Sequence, residues 1–299
     1  FHLVFTVPDL LNPVIYSNQK LLYDVLYHAA SATLNELAKD AKYLGANIGY
    51  ICILHTWGSA MNYHPHIHTI VLGGGLDDEN KWKETGGKFF LPYGVISKVF
   101  RGKYLDELKS LWNDSKLKFH GTAEKYQNSY RFKELLDKCY EKNWVTYCKE
   151  TFNGAQSVIN YLGKYTHRIA ISNHRIKSMT DTTVTYVVKD YKNEGCWKEK
   201  TISGEEFIRR FMMHVPPKRF VRIRHYGLLS CRNKRKKITH CRNLLGCKKY
   251  ISTLKNLNAV EMIRVLYHID VCKCSSCGGN MVSPRKDKYS SSFRAHMRC

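Results

Sequence analysis

The chain has 299 residues, which is enough for two domains and for a well-formed core. Its 48 Lys plus Arg against 25 Asp plus Glu give a formal net charge of +23, which indicates a polyanionic partner such as nucleic acid or an anionic membrane surface. Hydrophobic residues make up 43% of the chain, which excludes a disordered basic tail.

The first part of the chain alternates between strand and helix patterns. Alternating β-formers predict a strand over His2–Pro8, and apolar residues at helical spacing predict a helix from about Gln19 to Tyr43. A buried strand is predicted over Ile48–His55 and a second over His64–Leu72, where Gly73-Gly74-Gly75 is expected to end it. Two strands joined by a short loop predict an antiparallel hairpin.

Residues 76 to about 150 indicate a mixed, largely helical insertion. Further on, the patterns predict a helix over Ala155–Arg168, a strand over Thr182–Lys189 and another over Val221–Arg224. This order of elements predicts an α+β fold, an antiparallel sheet with helices on one face. We expect residues 1–230 to form the main domain and residues 231–299 a basic extension.

Several classes of protein find no support in the sequence. No apolar run reaches the roughly 18 residues of a membrane-spanning helix, so no membrane partner is expected. Neither a GxxxxGK phosphate loop nor a GxGxxG motif occurs, which argues against NTP hydrolysis and dinucleotide chemistry. The 11 cysteines are an odd number and are mostly scattered, which fits a reducing compartment.

The strand around residue 66 carries histidines at alternating positions. His66 and His68 share one face of the strand, about 7 Å apart along it, and Ile67 faces the other way. Two imidazoles so placed can bind one metal ion, with His55 on the neighbouring strand as a third ligand. The alternative is a polar edge strand whose histidines only form hydrogen bonds. Thr69-Ile70 excludes the HxHxDH pattern of hydrolytic dinuclear zinc sites.

The predicted helix near residue 160 carries two tyrosines four residues apart. Tyr161 and Tyr165 therefore share a face, with Lys164 between them. A phenol is a poor nucleophile at its ordinary pKa near 10, but a bound metal and a nearby cation would favour its attack on a phosphate. The alternative is an amphipathic helix that packs both tyrosines into the core.

Together these motifs resemble a known superfamily. His66-Ile67-His68 followed by the Tyr161 to Tyr165 segment is similar to the HUH endonucleases, which include rolling-circle initiators, relaxases and single-strand transposases. A wider set of blocks resembles the IS91-family transposases in particular. These blocks are His2–Pro8, Leu54–Gly58, His64–His68 with the following glycines, Tyr161–Arg175, Glu206–Phe211 and Ile223–Gly227.

The resemblance implies a two-tyrosine, rolling-circle type of transposition on an HUH core with an RRM-like fold. It implies that His66 and His68 bind Mg²⁺ or Mn²⁺ and that Tyr161 or Tyr165 attacks single-stranded DNA at transposon ends and target, forming a 5′-phosphotyrosine link. Lys164 would stabilise the transferring phosphate. For the third ligand we favour His55 over His167, which lies on the tyrosine helix.

The resemblance also has a departure and leaves alternatives. IS91-family transposases usually carry an N-terminal cysteine-rich zinc-binding domain, which we do not expect within residues 1–299. We expect a bacterial, cytoplasmic and nucleoid-associated transposase. The alternatives are a replication initiator or relaxase of the same chemistry, and a non-catalytic, zinc-containing nucleic-acid-binding protein.

Cations interleaved with aromatics suggest a surface for single-stranded DNA. In such surfaces the cations contact phosphates and the aromatics stack on bases. The alternative is an ordinary solvated basic face. The candidate residues are Arg168, Arg209, Arg210, Arg222, Arg224 and Tyr226.

The last thirty residues carry a zinc-knuckle-like pattern. Cys274 and Cys277 with His296 and Cys299 form C-x2-C-x18-H-x2-C, which fits a structural Zn²⁺ site. Cys272 or Cys247 could replace either of the later ligands, and two reduced thiols without metal are the alternative.

Overall fold

A computed structural model describes most of the chain. The described residues are 1–86, 91–144, 146–149, 170–190, 195–232, 234–247, 254, 256–274 and 276–281. The chain divides into two units, Phe1–Cys241 and Arg242–Cys299. Whether a functional boundary lies at residue 230 stays a prediction.

The larger sheet of the first unit is antiparallel throughout. Its strands are β1 (His2–Thr6), β2 (Asn47–Trp57), β3 (Tyr63–Leu76), β4 (Trp82–Glu84), β5 (Thr146–Lys149) and β9 (Ile223–Gly227). They pair in the order β5-β1-β3-β2-β9, and β4 adds to the far end of β3. The β2–β3 hairpin is therefore central to the sheet.

Helices cover one face of this sheet. They are α1 (Asn12–Ser17), α2 (Gln19–Lys39), α3 (Tyr93–Asn113) and α4 (Ser129–Glu141), with 3-10 turns at Asp9–Leu11 and Gly121–Gln127. Phe5 and its cross-strand partner Ile67 are fully buried on the helix face, in one cluster with apolar side chains of α2 and α3. The period-two alternation of the strands then places the histidines of β3 on the opposite face.

A smaller sheet follows later in the first unit. It consists of β6 (Ile176–Met179), β7 (Thr183–Asp190) and β8 (Cys196–Ser203), in that order, after a 3-10 turn at Asn173–Arg175. Helix α5 (Gly204–Met212) begins directly after β8, where the Ser203 hydroxyl accepts a hydrogen bond from the Glu206 amide. Tyr186 and Val188 of β7 are buried with Met61, and Phe207 packs against this cluster.

Two further helices complete the described elements. They are α6 (Lys234–Leu244) and, in the second unit, α7 (Ala259–Tyr267). Asn258 and Glu261 cap α7 reciprocally, because each side chain is hydrogen-bonded to the backbone amide of the other. None of the helices in the described ranges combines the length and hydropathy needed to cross a bilayer.

The structure confirms the α+β class and corrects one prediction. The Gly73-Gly74-Gly75 run does not end the strand, because β3 continues to Leu76 and pairs there with β4. A Cβ at Gly74 would overlap the Trp82 ring and the Lys83 carbonyl, and one at Gly75 would overlap the Asn47 carbonyl. Glycine here permits close backbone approach, and strand pairing overrides its weak local preference for a strand.

Candidate metal centre

Three imidazoles converge on the open face of the sheet. His66 of β3 stands directly opposite His55 of β2, and His68 lies one step further along the same face. Their ligand atoms all lie within 4.8 Å of one another. Within the described residues, this is the single group of three or more His, Cys, Asp or Glu side chains that could hold a metal ion. We call His55, His66 and His68 the histidine triad.

Hydrogen bonds select which nitrogen of His66 faces the cluster. Its Nδ1 donates to the His64 carbonyl at 2.6 Å, so the Nε2 lone pair points inward. That Nε2 lies 3.1 Å from Nε2 of His68. Two such nitrogens share a single proton, and they are also the atoms that a cation would contact.

Burial keeps the triad neutral. His55 is 2% and His66 is 9% exposed. Desolvation, helped by the neighbouring imidazoles, holds the pKa of His55 and of His68 well below the usual value. Desolvation lowers the pKa of His66 to about 4. Neutral imidazole is the metal-binding form, so the triad is ready to bind near neutral pH. Three imidazole nitrogens are suitable donors for a divalent transition-metal ion.

A fourth histidine supports the triad from the neighbouring strand. His2 of β1 stacks on His68 with ring centroids 5.1 Å apart. Its Nε2 lies 2.9 Å from Nδ1 of His68, which is the nitrogen that does not face His66. We did not predict this role. Its signal was the position of His2 in the first strand, but the register with β3 cannot be read from the sequence.

The turn between β2 and β3 is held by residues that lie before and after the smaller sheet. The turn residue Met61 is buried in a left-handed conformation with a φ of 54°. His214 Nε2 donates to the Met61 carbonyl at 3.2 Å, and Arg175 Nη2 donates to the Ser59 carbonyl at 2.5 Å. These contacts tie the hairpin that carries the triad to the elements that follow it.

A cavity of about 440 Å³ opens above the triad. Its described lining combines the triad with the β2–β3 turn and with the smaller sheet. The residues other than the triad are Trp57, Gly58, Ser59, His64, Ala170, Ile171, Ser172, His174, Arg175, Lys189 and Trp197. The histidine triad thus forms the floor of a cleft.

The candidate DNA-binding residues are placed on two elements. On α5, Arg209 and Arg210 both pair with Glu206, at 2.6 and 2.7 Å. On β9, Arg224 pairs with Asp24, and Tyr226 stacks on Tyr50 with ring centroids 5.2 Å apart.

Position in the register decides which way the β9 side chains point. Arg224 and Tyr226 stand opposite Cys52 and Tyr50, which face the helices, and so they lie away from the triad. Arg222 lies just before β9, where its carbonyl accepts from the amide of Leu54 at 3.0 Å. DNA binding by these residues stays a prediction.

Several predicted site residues lie outside the described part of the chain. They are Tyr161, Lys164, Tyr165, His167, Arg168, His296 and Cys299. Cys274 and Cys277 are described, in a tight turn where the Gly278 amide donates to the Cys274 carbonyl at 2.9 Å. Backbone amides of Cys277 and Ser276 lower the pKa of the Cys274 thiol. Within the described residues, no third His, Cys, Asp or Glu side chain brings its ligand atom within 4.8 Å of both cysteine sulfurs.

The fold and the site together define the class of this protein. It is a basic α+β protein with a candidate metal centre of three histidines in an open cleft. The Y2_Tnp family, described as "Putative transposase", matches residues 49–237. The chain belongs to this transposase family, and the resemblance to IS91-family transposases is confirmed.

Two curated relatives agree with this assignment. The chain is 40% identical over 247 residues to "Putative transposase y4qJ" of Sinorhizobium fredii, an alignment that covers 82% of this chain and 62% of the relative. It is 29% identical over 284 residues to "Transposase for insertion sequence element IS801" of Pseudomonas savastanoi pv. phaseolicola, covering 94% of this chain and 66% of that protein. The chain thus spans about two thirds of the length of either relative or slightly less. No solved structure matches it.

Proposed function

We propose that this chain cleaves and rejoins single-stranded DNA at transposon ends and target through a 5′-phosphotyrosine intermediate. The observation that carries the proposal is the histidine triad, three neutral and largely buried imidazoles within 4.8 Å of one another in a chain of a transposase family. We assign the reaction to residues 1–230. The two relatives' names speak of transposases, which supports a DNA substrate.

His55, His66 and His68 would hold the divalent ion. Bound Mg²⁺ or Mn²⁺ would polarise a phosphate oxygen. His2 and the His64 carbonyl orient the imidazoles through their outer nitrogens, as supporting groups commonly do at metal centres. Because nitrogen donors favour Mn²⁺ over Mg²⁺, we expect Mn²⁺ to bind more tightly.

The tyrosines Tyr161 and Tyr165 would supply the nucleophile. In each cleavage, a P–O bond to the tyrosine Oη forms and the bond to the 3′ oxygen breaks. The phenol proton is lost and the leaving 3′ oxygen is protonated. Lys164 would favour phenolate and stabilise charge on the phosphate. The reverse attack by a 3′ hydroxyl rejoins a strand without any nucleotide cofactor.

The C-terminal cysteines would serve a structural site. We assign one Zn²⁺ to Cys274 and Cys277 with His296 and Cys299, in the extension formed by residues 231–299. The tight turn and the lowered pKa of the Cys274 thiol suit a zinc ligand. Metal analysis is expected to find one zinc per chain that Cys274→Ser removes, and zinc retained in that variant would contradict the assignment.

The experiment for the main proposal detects a covalent adduct. The chain is incubated with MnCl₂ and labelled single-stranded DNA that carries the element's own terminus, and the products are run on a denaturing gel. We expect an adduct that EDTA abolishes and that is lost when Tyr161 and Tyr165 are both changed to Phe. Tyr130→Phe, at an exposed tyrosine of α4, is the matched control. Tight DNA binding without an adduct would favour the nucleic-acid-binding alternative and contradict the proposal.

A further inference from the structure

The smaller sheet presents one side chain pair to the cleft above the triad. Lys189 of β7 and Trp197 of β8 stand directly opposite each other, so their side chains share a face. Both residues line the same cavity as the histidine triad. The buried side chains Tyr186 and Val188 belong to the opposite face, which packs against Met61.

Trp197 presents a large and mostly apolar ring to solvent. It is 61% exposed, whereas Trp57, the other tryptophan of the cleft, stacks on His55 with ring centroids 4.9 Å apart. The Arg175 guanidinium lies 5.7 Å from the centre of the Trp197 ring. A cation against an indole contributes a favourable electrostatic contact and leaves the rest of the ring free to stack on a ligand.

Hydrogen bonds connect this part of the cleft to the hairpin that carries the histidine triad. Arg175 Nε and Nη2 donate to the Val187 carbonyl at 2.9 and 2.6 Å. The same guanidinium donates to the Ser59 carbonyl, and the Lys189 amide donates to the Ser59 hydroxyl at 2.6 Å. Ser59 lies in the turn between the two strands that carry the triad. Strand β7, whose Lys189 stands opposite Trp197, is therefore tied by hydrogen bonds to the hairpin that carries the triad.

We propose that Trp197 is a base-stacking subsite for single-stranded nucleic acid, with Lys189 contacting an adjacent phosphate. This inference rests on the proposed function, since it places a nucleotide in the cleft whose floor is the triad. Stacked bases on aromatics with cations along the backbone are the usual means of holding a single strand. In duplex DNA the bases are already stacked on one another, so no base face is available to stack on the Trp197 ring.

The test measures how tightly variants of the whole chain bind two ligands, fluorescein-labelled dT20 and a dA20·dT20 duplex. The measurements are made in EDTA so that cleavage does not interfere. Trp197→Ala is expected to weaken dT20 binding about 5- to 150-fold, the range for loss of a base-stacking aromatic. Trp197→Phe should retain most of the affinity, and duplex binding should change little. Tyr130→Ala, a similarly exposed aromatic on α4, is the matched control.

The salt dependence of dT20 affinity distinguishes the contribution of base stacking from that of phosphate contacts. Trp197→Ala should leave the slope of log affinity against log salt unchanged, whereas Lys189→Ala should reduce it by about 0.7, the value of one phosphate contact on a single strand. Thermal melting controls for folding, and Trp197→Phe provides a second variant if the alanine variant is unstable.

The outcomes distinguish the two proposals. If the unmodified chain binds dT20 and forms the adduct but Trp197→Ala binds equally well, the stacking subsite is wrong and the proposed function stands. If the unmodified chain shows no preference for dT20 over the duplex and forms no adduct, both are wrong. Equal losses for dT20 and duplex would indicate a structural role for Trp197 and would overturn the inference.

Discussion

At the scale of single residues, the centre shows how hydrogen bonds outside a cluster organise the atoms inside it. His66 is oriented by a backbone carbonyl of its own strand, and His68 by the imidazole of His2. The inner nitrogens of both then face each other at 3.1 Å. The supporting groups thus choose the nitrogen that is offered to a ligand, as they do at many metal centres.

The first prediction concerns His2. Replacing it by Ala removes the partner of His68 Nδ1 without removing a triad residue, so Mn²⁺ affinity should fall about 10- to 100-fold. His66→Ala should lose more, because it removes a ligand. Isothermal titration with MnCl₂ measures both, and His28→Ala, at an exposed histidine of α2, is the control. An unchanged Mn²⁺ affinity of the His2→Ala variant would mean that His2 packs against His68 without supporting metal binding.

The second prediction concerns pH and His214. Burial lowers the pKa of His214, which is held between Thr56 and the Met61 carbonyl. The pKa of a histidine in the unfolded chain is near 6.5, so the unfolded chain takes up a proton at a higher pH than the folded chain does. The contribution of His214 to the free energy of unfolding is therefore present above pH 6.5 and is lost as the pH falls below that value. Urea unfolding at a series of pH values should show a weaker acid dependence for His214→Gln than for the unmodified chain, and an equal dependence would contradict the role of His214.

At the scale of elements, β3 is the strand on which both the fold and the site depend. Its first half carries His66 and His68, and its glycine-rich second half pairs with β4. Its turn with β2 is buried under the smaller sheet through Met61. One strand is therefore constrained at both ends, which limits movement of the histidines between them.

The third prediction uses two neighbouring glycines of that strand. A Cβ at Gly74 would overlap Trp82 and the Lys83 backbone, whereas one at Gly73 would meet only the Thr85 hydroxyl, at 3.9 Å. Gly74→Ala should therefore lower the free energy of unfolding by about 1–3 kcal/mol. Gly73→Ala should be neutral or slightly stabilising, because it restricts the unfolded chain. Urea unfolding compares them, and equal effects would refute the close approach of β4.

At the scale of the whole molecule, charge is the dominant property. The net charge is +23, and four consecutive cations, Lys234–Lys237, open α6. Such an excess attracts any nucleic acid and contributes affinity without sequence preference. Selection of a single strand must then come from local features such as the cleft.

The fourth prediction follows from this charge. Affinity for single-stranded DNA should fall linearly with salt on logarithmic axes. Changing Lys234–Lys237 to Ala should reduce the slope by about 3 if each residue contacts a phosphate. The comparison is a titration of dT20 at several NaCl concentrations, and an unchanged slope would place these cations away from the bound strand. Mutation of four exposed acidic residues elsewhere serves as the opposite control.

Much of the fold followed from periodicity. The strands around His2, Ile48 and His66 and the helix beginning at Gln19 were predicted within a few residues, because alternation and helical spacing directly reflect burial on one face. The end of β3 was predicted wrongly. Its glycines allow the close approach of Trp82, and the local sequence pattern gives no information on that contact.

For the candidate site, the sequence by itself determined that His66 and His68 share one face, since a strand repeats every two residues. Together with the IS91 resemblance, it also pointed to the family. Only the tertiary structure decided that His55 meets them, that His2 supports His68, and that Trp197 and Lys189 line the same cleft. The reason is physical: these relations depend on strand register and on the docking of one sheet against another, and side chains far apart in sequence set both.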